Sequence, residues 1–294
     1  ADIGIDARFF HERFEMTVDF FQDIRSGIYQ QRQSVPEEMG LPSLPWANVG
    51  EMKSWGMDGH ISYTQPLGDN DKYLIVRANY TQSMNKITNF EEDLKKYDYQ
   101  SAVGYQSGVN RGLIALGLFK DQADIDNSLP QQFGPVKAGD IKYKDMNGDK
   151  VINSDDRVAM GYNSTCPEIY YSFSLGLEWK GLGFSAQFQG VGNYTAILSG
   201  TYYHPLVDNT TISNYAYQNR WTPETPNARF PRLTTETVDN NLQTSSLWLA
   251  DRSFLKLRNC EVYYKLPSSW LNRFWVKNAK VYVRVVSYTH LRAH

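Results

Sequence analysis

The sequence predicts an all-β protein of antiparallel strands interrupted by long loops, with an architecture open between a transmembrane β-barrel and a sandwich. Three observations carry this. Segment after segment alternates apolar and polar residues with a period of two, the mark of a strand with two unlike faces. Aromatic residues make up 14% of the 294-residue chain, with 20 Tyr, 14 Phe and 7 Trp, an abundance suited to pleated faces and to a water–lipid boundary. No run approaches the roughly 18 apolar residues of a membrane-crossing helix, whereas alternating strands cross a bilayer with low mean hydropathy.

The first hairpin sets Ile3, Ile5, Ala7 and Phe9 against Gly4, Asp6 and Arg8. After a turn near His11–Arg13, Phe14, Met16, Val18 and Phe20 alternate with Glu15, Thr17 and Asp19. Such strands suit either a half-buried sandwich sheet or a barrel with lipid outside and water inside. The stretch from Ile28 to Trp46, with Pro36, Pro42 and Pro45, reads as loop. A second pair follows over about 50–64 and 72–87, joined at Gly68-Asp69-Asn70-Asp71. From Thr88 to Ala138 the periodicity lapses; Phe90–Tyr97 and Asp121–Ile125 are read as short helices within an ordered excursion. In the clearest hairpin, Tyr171, Phe173, Leu175, Leu177 and Trp179 oppose Ser172, Ser174, Gly176 and Glu178. Its turn is Lys180–Gly183, and Phe184, Ala186 and Phe188 then oppose Ser185, Gln187 and Gln189. A strand of about nine to eleven residues spans a bilayer when tilted, and Trp179 with Lys180 suits an interface, so this hairpin favours the barrel over the sandwich. A second loop runs from Thr201 to Leu247, and strands resume near 254–266 and 279–286. In the first of these, Lys256 and Arg258 share a face with Val262 and Tyr264. A cation on the lipid face costs roughly 2–4 kcal/mol at mid-depth, which requires an interface or a β-bulge there.

Between Tyr143 and Val158 lies the densest cluster of oxygen donors. Asp145, Asn147, Asp149, the Val151 carbonyl, Asn153 and Asp156 occupy positions one, three, five, seven, nine and twelve of a calcium-loop pattern. Lys150 stands where an EF-hand has glycine, and Asp156 replaces the usual Glu. The flanks read as strands, so the loop decorates a β protein, with structural Ca2+ as the expected cofactor. A polar turn explains the same residues without metal.

The net charge of −2 gives no field for nucleic acid. Cys166 and Cys260 lack zinc or redox spacing, and the five histidines form no catalytic motif. The chain reads as a non-enzyme. The start at Ala1, already in strand alternation, reads as the interior of a longer protein.

Several segments, in order, resemble the SusC/RagA family of TonB-linked outer-membrane transporters. They are Asn48–Gly56, Gly139–Arg157, the hairpin ending Phe188-Gln189-Gly190-Val191-Gly192, Arg220–Ala228, Phe230-Pro231-Arg232-Leu233 and Ser253–Asn259. The resemblance implies the C-terminal part of a 22-stranded barrel with long extracellular loops over 1–286, without the plug domain, in the outer membrane of a Gram-negative bacterium. It implies import of glycans or oligopeptides, a SusD-like surface lipoprotein as lid, and TonB contact through the missing N-terminal part. Eight to ten strands with two open edges are expected. Residues 287–294 depart from the family pattern and read as an atypical tail. Tyr202, Tyr203, Trp221 and Trp248 are the expected substrate or lid contacts. The competing reading is a secreted, calcium-stabilised, β-rich carbohydrate-binding module.

Overall fold

The computed structural model describes residues 1–68, 72–206, 210–271 and 278–292. Its main body is one antiparallel sheet. In chain order the strands that form it are β1 (Asp2–Phe9), β2 (Phe14–Gln31), β3 (Trp46–Pro66), β4 (Lys72–Asn89), β9 (Ile169–Trp179), β10 (Leu182–Gly192), β13 (Phe254–Lys265) and β14 (Lys280–Arg292). Spatial order follows chain order across all eight, so every neighbour is a hairpin or a hairpin with an enlarged loop. β1 and β14 are the two edges.

The two longest connections, 90–168 and 193–253, lie at one end of the sheet together with 32–45, and the tight turns of β1–β2 and β9–β10 lie at the other. The tightest turn is Lys180-Gly181, both at positive φ (49° and 85°), the conformation that matches the twist of a two-residue hairpin. The turn residues 69–71 lie outside the described residues.

The cross-strand register aligns the alternation of all strands. One face carries rows such as Ala7, Met16, Ile61, Ala78, Phe173, Phe188 and Leu257, and Phe9, Phe14, Tyr63, Val76, Leu175, Ala186 and Cys260. The opposite face carries Asp6, Thr17, His60, Asn79, Ser172, Gln189 and Lys256. The apolar face is open: Phe173, Leu175, Leu177, Phe184 and Val262 all remain exposed. Among the described residues no second sheet covers it, as a sandwich-type binding module would require. Among the described residues no helix is long and apolar enough to cross a membrane. From Leu74 to Met84, at about 3.3 Å per residue and a tilt near 45°, the apolar band is about 25 Å tall, the height of an outer-membrane girdle. At its short-turn margin Lys72 lies 4.9 Å from the Trp179 ring, and at the other margin Lys53 lies 5.8 Å from Trp55. An aromatic ring with a snorkelling cation is the pairing expected at each headgroup layer.

Of the two alternatives for Lys256 and Arg258, an interface or a bulge, β13 has the bulge. Gln187 pairs with Asn259 and Phe188 with Leu257, so Arg258 is the extra residue, and the shift also interrupts pairing with β14. The bulge reverses the alternation. Leu255 and Leu257 join the apolar face below it, Cys260, Val262 and Tyr264 above it, and both cations turn to the polar face.

Three expectations need correction. β2 continues to Gln31, into the proline-bearing stretch read as loop, because its backbone pairs with β3 as far as Trp46. Residues 90–97 are not helical, and a short 3-10 turn follows at Asp98–Gln100. β14 extends to Arg292, pairing with Phe254, beyond the expected end near Val286.

Candidate functional site: a cap knitted from two loops

The chain's tightly packed core lies outside the sheet. The segments 90–168 and 193–253 contain β5 (Val109–Gly112), β6 (Ala115–Leu118), α1 (Gln122–Asp126), β7 (Ile141–Tyr143), β8 (Val158–Asn163), β11 (Thr195–Ile197), α2 (Asn214–Gln218), α3 (Asp239–Leu242) and β12 (Leu249–Asp251). α1 forms as its sequence predicts, with the Asp121 side chain accepting from Asp124 N. Leu113, Leu118, Ile141, Tyr143 and Ile152 of the first segment pack with Ala216, Phe230 and Trp248 of the second in one cluster. Neither loop could bury these residues alone.

A buried polar lattice locks the two segments. The Asp140 side chain is fully buried and pairs with Arg232 across 2.8 Å. Asn241 donates to Asp140 Oδ1 at 2.8 Å, and Lys137 N donates to Oδ2 at 2.8 Å. Asn240 donates to the Ile141 carbonyl, and Gln131 donates to Asn240 Oδ1. The Tyr143 hydroxyl donates to Asn240 O at 2.7 Å, and burial pushes that phenol up from its ordinary range. Gly139 stands at φ 89°, where a Cβ would meet the Trp221 ring at 2.6 Å. Gly139-Asp140 and Phe230-Pro231-Arg232, singled out by resemblance, are therefore the two halves of one clasp. Sequence reasoning missed Asp140, Asn240 and Asn241 as a unit, since their partners lie about a hundred residues away; only the adjacency of Gly and Asp before a strand hinted at it.

The oxygen-rich loop closes through its own amides. Asp145 accepts from Asn147 N, Gly148 N and Lys150 N, the last at 2.9 Å, and Asn147 Oδ1 accepts from Asp149 N. Asp149 accepts from Val151 N and from the Asn147 amide group. Buried Asp156 receives Met146 N at 2.7 Å and Asn153 N at 2.8 Å. Lys150 takes the left-handed position (φ 68°) usually filled by glycine. Among the described residues no group of three or more acid, imidazole or thiol side chains converges as a metal cluster. Lys96 pairs with Asp155 at 3.0 Å, and that hydrogen bond holds the Asp155 carboxyl below its usual range.

The four aromatic candidates separate. Trp248 is 2% exposed, donates from its indole to Asn241 O at 2.9 Å and meets His204 edge-on at 4.4 Å. Its side chain is part of the cap core. Trp221 is half-buried over Gly139 against the same core. Tyr203 lines a cavity of about 50 Å³ with His204, Phe230, Arg232 and Trp248. Desolvation there lowers the His204 pKa, favouring the neutral imidazole. Tyr202 alone of the four is exposed, stacked edge-on against Tyr203 at 5.0 Å.

No family model matches the chain. Two curated proteins of Formosa agariphila do: TonB-dependent receptor P26 is 28% identical over 96% of this chain and 29% of its own length, and TonB-dependent receptor P3 is 23% identical over 96% and 28%. The chain thus spans less than a third of the relatives it matches. Among solved structures, that of the RagAB peptide transporter superposes over the whole chain and 31% of its own, with a TM-score of 0.73 at 22% identity. The RagAB peptide importer in its open-open state gives 0.72 at 21%, over 31% of that chain. The chain is thus similar in sequence to TonB-dependent receptors, and its two-faced wall has the fold of a section of the RagAB transporter.

Proposed function

We propose that the chain supplies wall and outer cap to a TonB-dependent importer of glycans or oligopeptides, working beneath a SusD-like surface lipoprotein. The observation that carries this reading is the asymmetry of the wall. One face is greasy over a bilayer's height and the other polar, and the longest loops fold into a cap at a single end. A wall of this kind lines a wet passage, and a preformed cap at its mouth offers a surface to cargo and lid. Tyr202 is the aromatic candidate best placed for such contact. The eight strands leave both edges open, so transport belongs to the whole receptor, with TonB engaged elsewhere in it. The test is uptake of labelled oligopeptides and oligosaccharides by cells carrying the whole receptor, with and without TonB and the neighbouring lipoprotein. TonB-dependent accumulation of either cargo is expected; TonB-independent leakage, or none, contradicts the reading.

For the 145–156 loop we propose a structural Ca2+ held by Asp145, Asn147, Asp149, the Val151 carbonyl, Asn153 and Asp156. Their side-chain oxygens already accept amide N–H groups, two of them on Asp145 Oδ1, but the other carboxylate oxygens each keep a further lone pair, and the loop would tighten to gather them. Calcium is expected to protect this loop from protease in the whole receptor, and Asp145→Ala with Asp149→Ala to abolish the protection. Equal cleavage with calcium or chelator removes the metal.

A further inference from the structure

The β13 bulge does more than remove cations from lipid. On the polar face of β9, β10, β13 and β14 the described carboxylates Glu178 and Glu261 are both satisfied. Lys265 pairs with Glu178, and Lys280 and Arg284 pair with Glu261. Arg258 and Lys256, turned onto this face by the bulge, have no carboxylate partner among the described residues. The other acidic residues of this face, Asp6, Asp19 and Asp58 among them, sit on β1–β3. Four strand spacings separate β3 from β13, or about 19 Å, too far for pairing in salt.

Arg258 borders a hollow of about 330 Å³ on the polar face, near the cap end of β9, lined also by Asn79, Ser172, Gln187 and Gln189. Its hydrogen-bonding sense is fixed by chemistry. A guanidinium only donates, so Gln189 presents its oxygen to Arg258 Nη1, at 3.1 Å, and its NH2 group faces elsewhere with no described partner. Ser172 Oγ accepts from Asn79 at 3.1 Å and keeps its own proton to give. The hollow is thus rich in donors, carries uncompensated positive charge and is flanked by a second cation. A bulge that aims one side chain into a polar hollow is a recurrent feature of binding sites.

We propose that this hollow binds a carboxylate of the transported cargo, with Arg258 as the charged anchor and Gln189 and Ser172 as neutral donors. The proposal rests on the importer reading. A carboxylate could come from an acidic peptide side chain or a uronic acid, and the experiment separates the two. Equilibrium binding to the whole purified receptor is measured for an oligoglutamate, an oligo-uronate and a neutral oligomer of each type. Arg258→Gln is expected to weaken at least one acidic ligand about tenfold, the scale of one charge-assisted hydrogen bond, while leaving its neutral counterpart unchanged. Arg258→Lys should restore part of that affinity, and the acidic ligand should lose affinity as salt rises. The acidic ligand whose binding falls identifies the source. Equal binding of acidic ligands to wild type and Arg258→Gln overturns the carboxylate site while import of neutral cargo still stands. A receptor that binds and imports none of the four overturns both.

Discussion

Asp140→Ala is expected to unfasten the cap while leaving the sheet in place. The substitution removes a fully buried carboxylate and strands the Arg232 guanidinium, itself only 16% exposed, in the interface between two loops. Breaking a buried pair by deleting one partner costs about 3–5 kcal/mol, because the remaining charge is left desolvated and unpaired. Asn241 and Lys137 N lose their acceptor as well. The effect should stay local, since the cap core shares no residue with the sheet. Hydrogen exchange of the whole receptor should show fast exchange for Leu113, Ile141 and Trp248 amides, with strand amides at 171–177 unchanged. Asp140→Asn, which preserves shape and part of the hydrogen bonding, should cost less. Uniform exchange changes across sheet and cap would mean that the two are one cooperative unit.

Leu175→Arg is expected to be nearly as disruptive, for a different reason. Leu175 sits in the middle of the apolar band between Val76 and Ala186, and it is already 41% exposed in the sheet. On the surface of a soluble protein such a change would be close to neutral. Facing hydrocarbon at mid-depth, it should cost about 2–4 kcal/mol. Gln187→Arg, one register step away on the polar face, should be tolerated. The comparison is read as the fraction of whole receptor that assembles in the outer membrane and resists heat in detergent; equal assembly of both variants would contradict the assignment of faces.

The wall was legible in the sequence because its information is local. Period-two alternation fixed strand and face together for 171–179 and 184–188, and a two-faced strand admits few registers without exposing its wrong side. At the untidy strand 254–265 the cost of a cation in lipid narrowed the reading to an interface or a bulge, and the structure has the bulge. The cap was less legible, since its interior is assembled from partners that sequence spacing cannot pair. The stretch 90–97 shows how. Its mixed charges, Glu91, Glu92, Lys95 and Lys96, suit helical i,i+4 pairs, yet in the fold several serve tertiary partners. Arg32 clamps Glu91 at 2.8 Å, Glu92 accepts the Ala102 amide at 3.0 Å, and Lys96 reaches Asp155. Isolated helical pairs contribute only a few tenths of a kcal/mol each, so such partners override them easily. The burial of Trp248 was illegible on similar grounds: an aromatic in a long loop gives no sign of the core that the distant segment builds around it.

The central claim is about solvent, and site-directed spin labelling of the whole receptor in lipid measures it most directly. Single nitroxides at positions 172 to 177 should alternate strictly in their collisions with oxygen and with a water-soluble nickel chelate. Labels replacing Phe173, Leu175 and Leu177 should favour oxygen, and those replacing Ser172, Ser174 and Gly176 the chelate. An aqueous signal at Phe173, Leu175 and Leu177 would contradict the membrane wall on which the account stands.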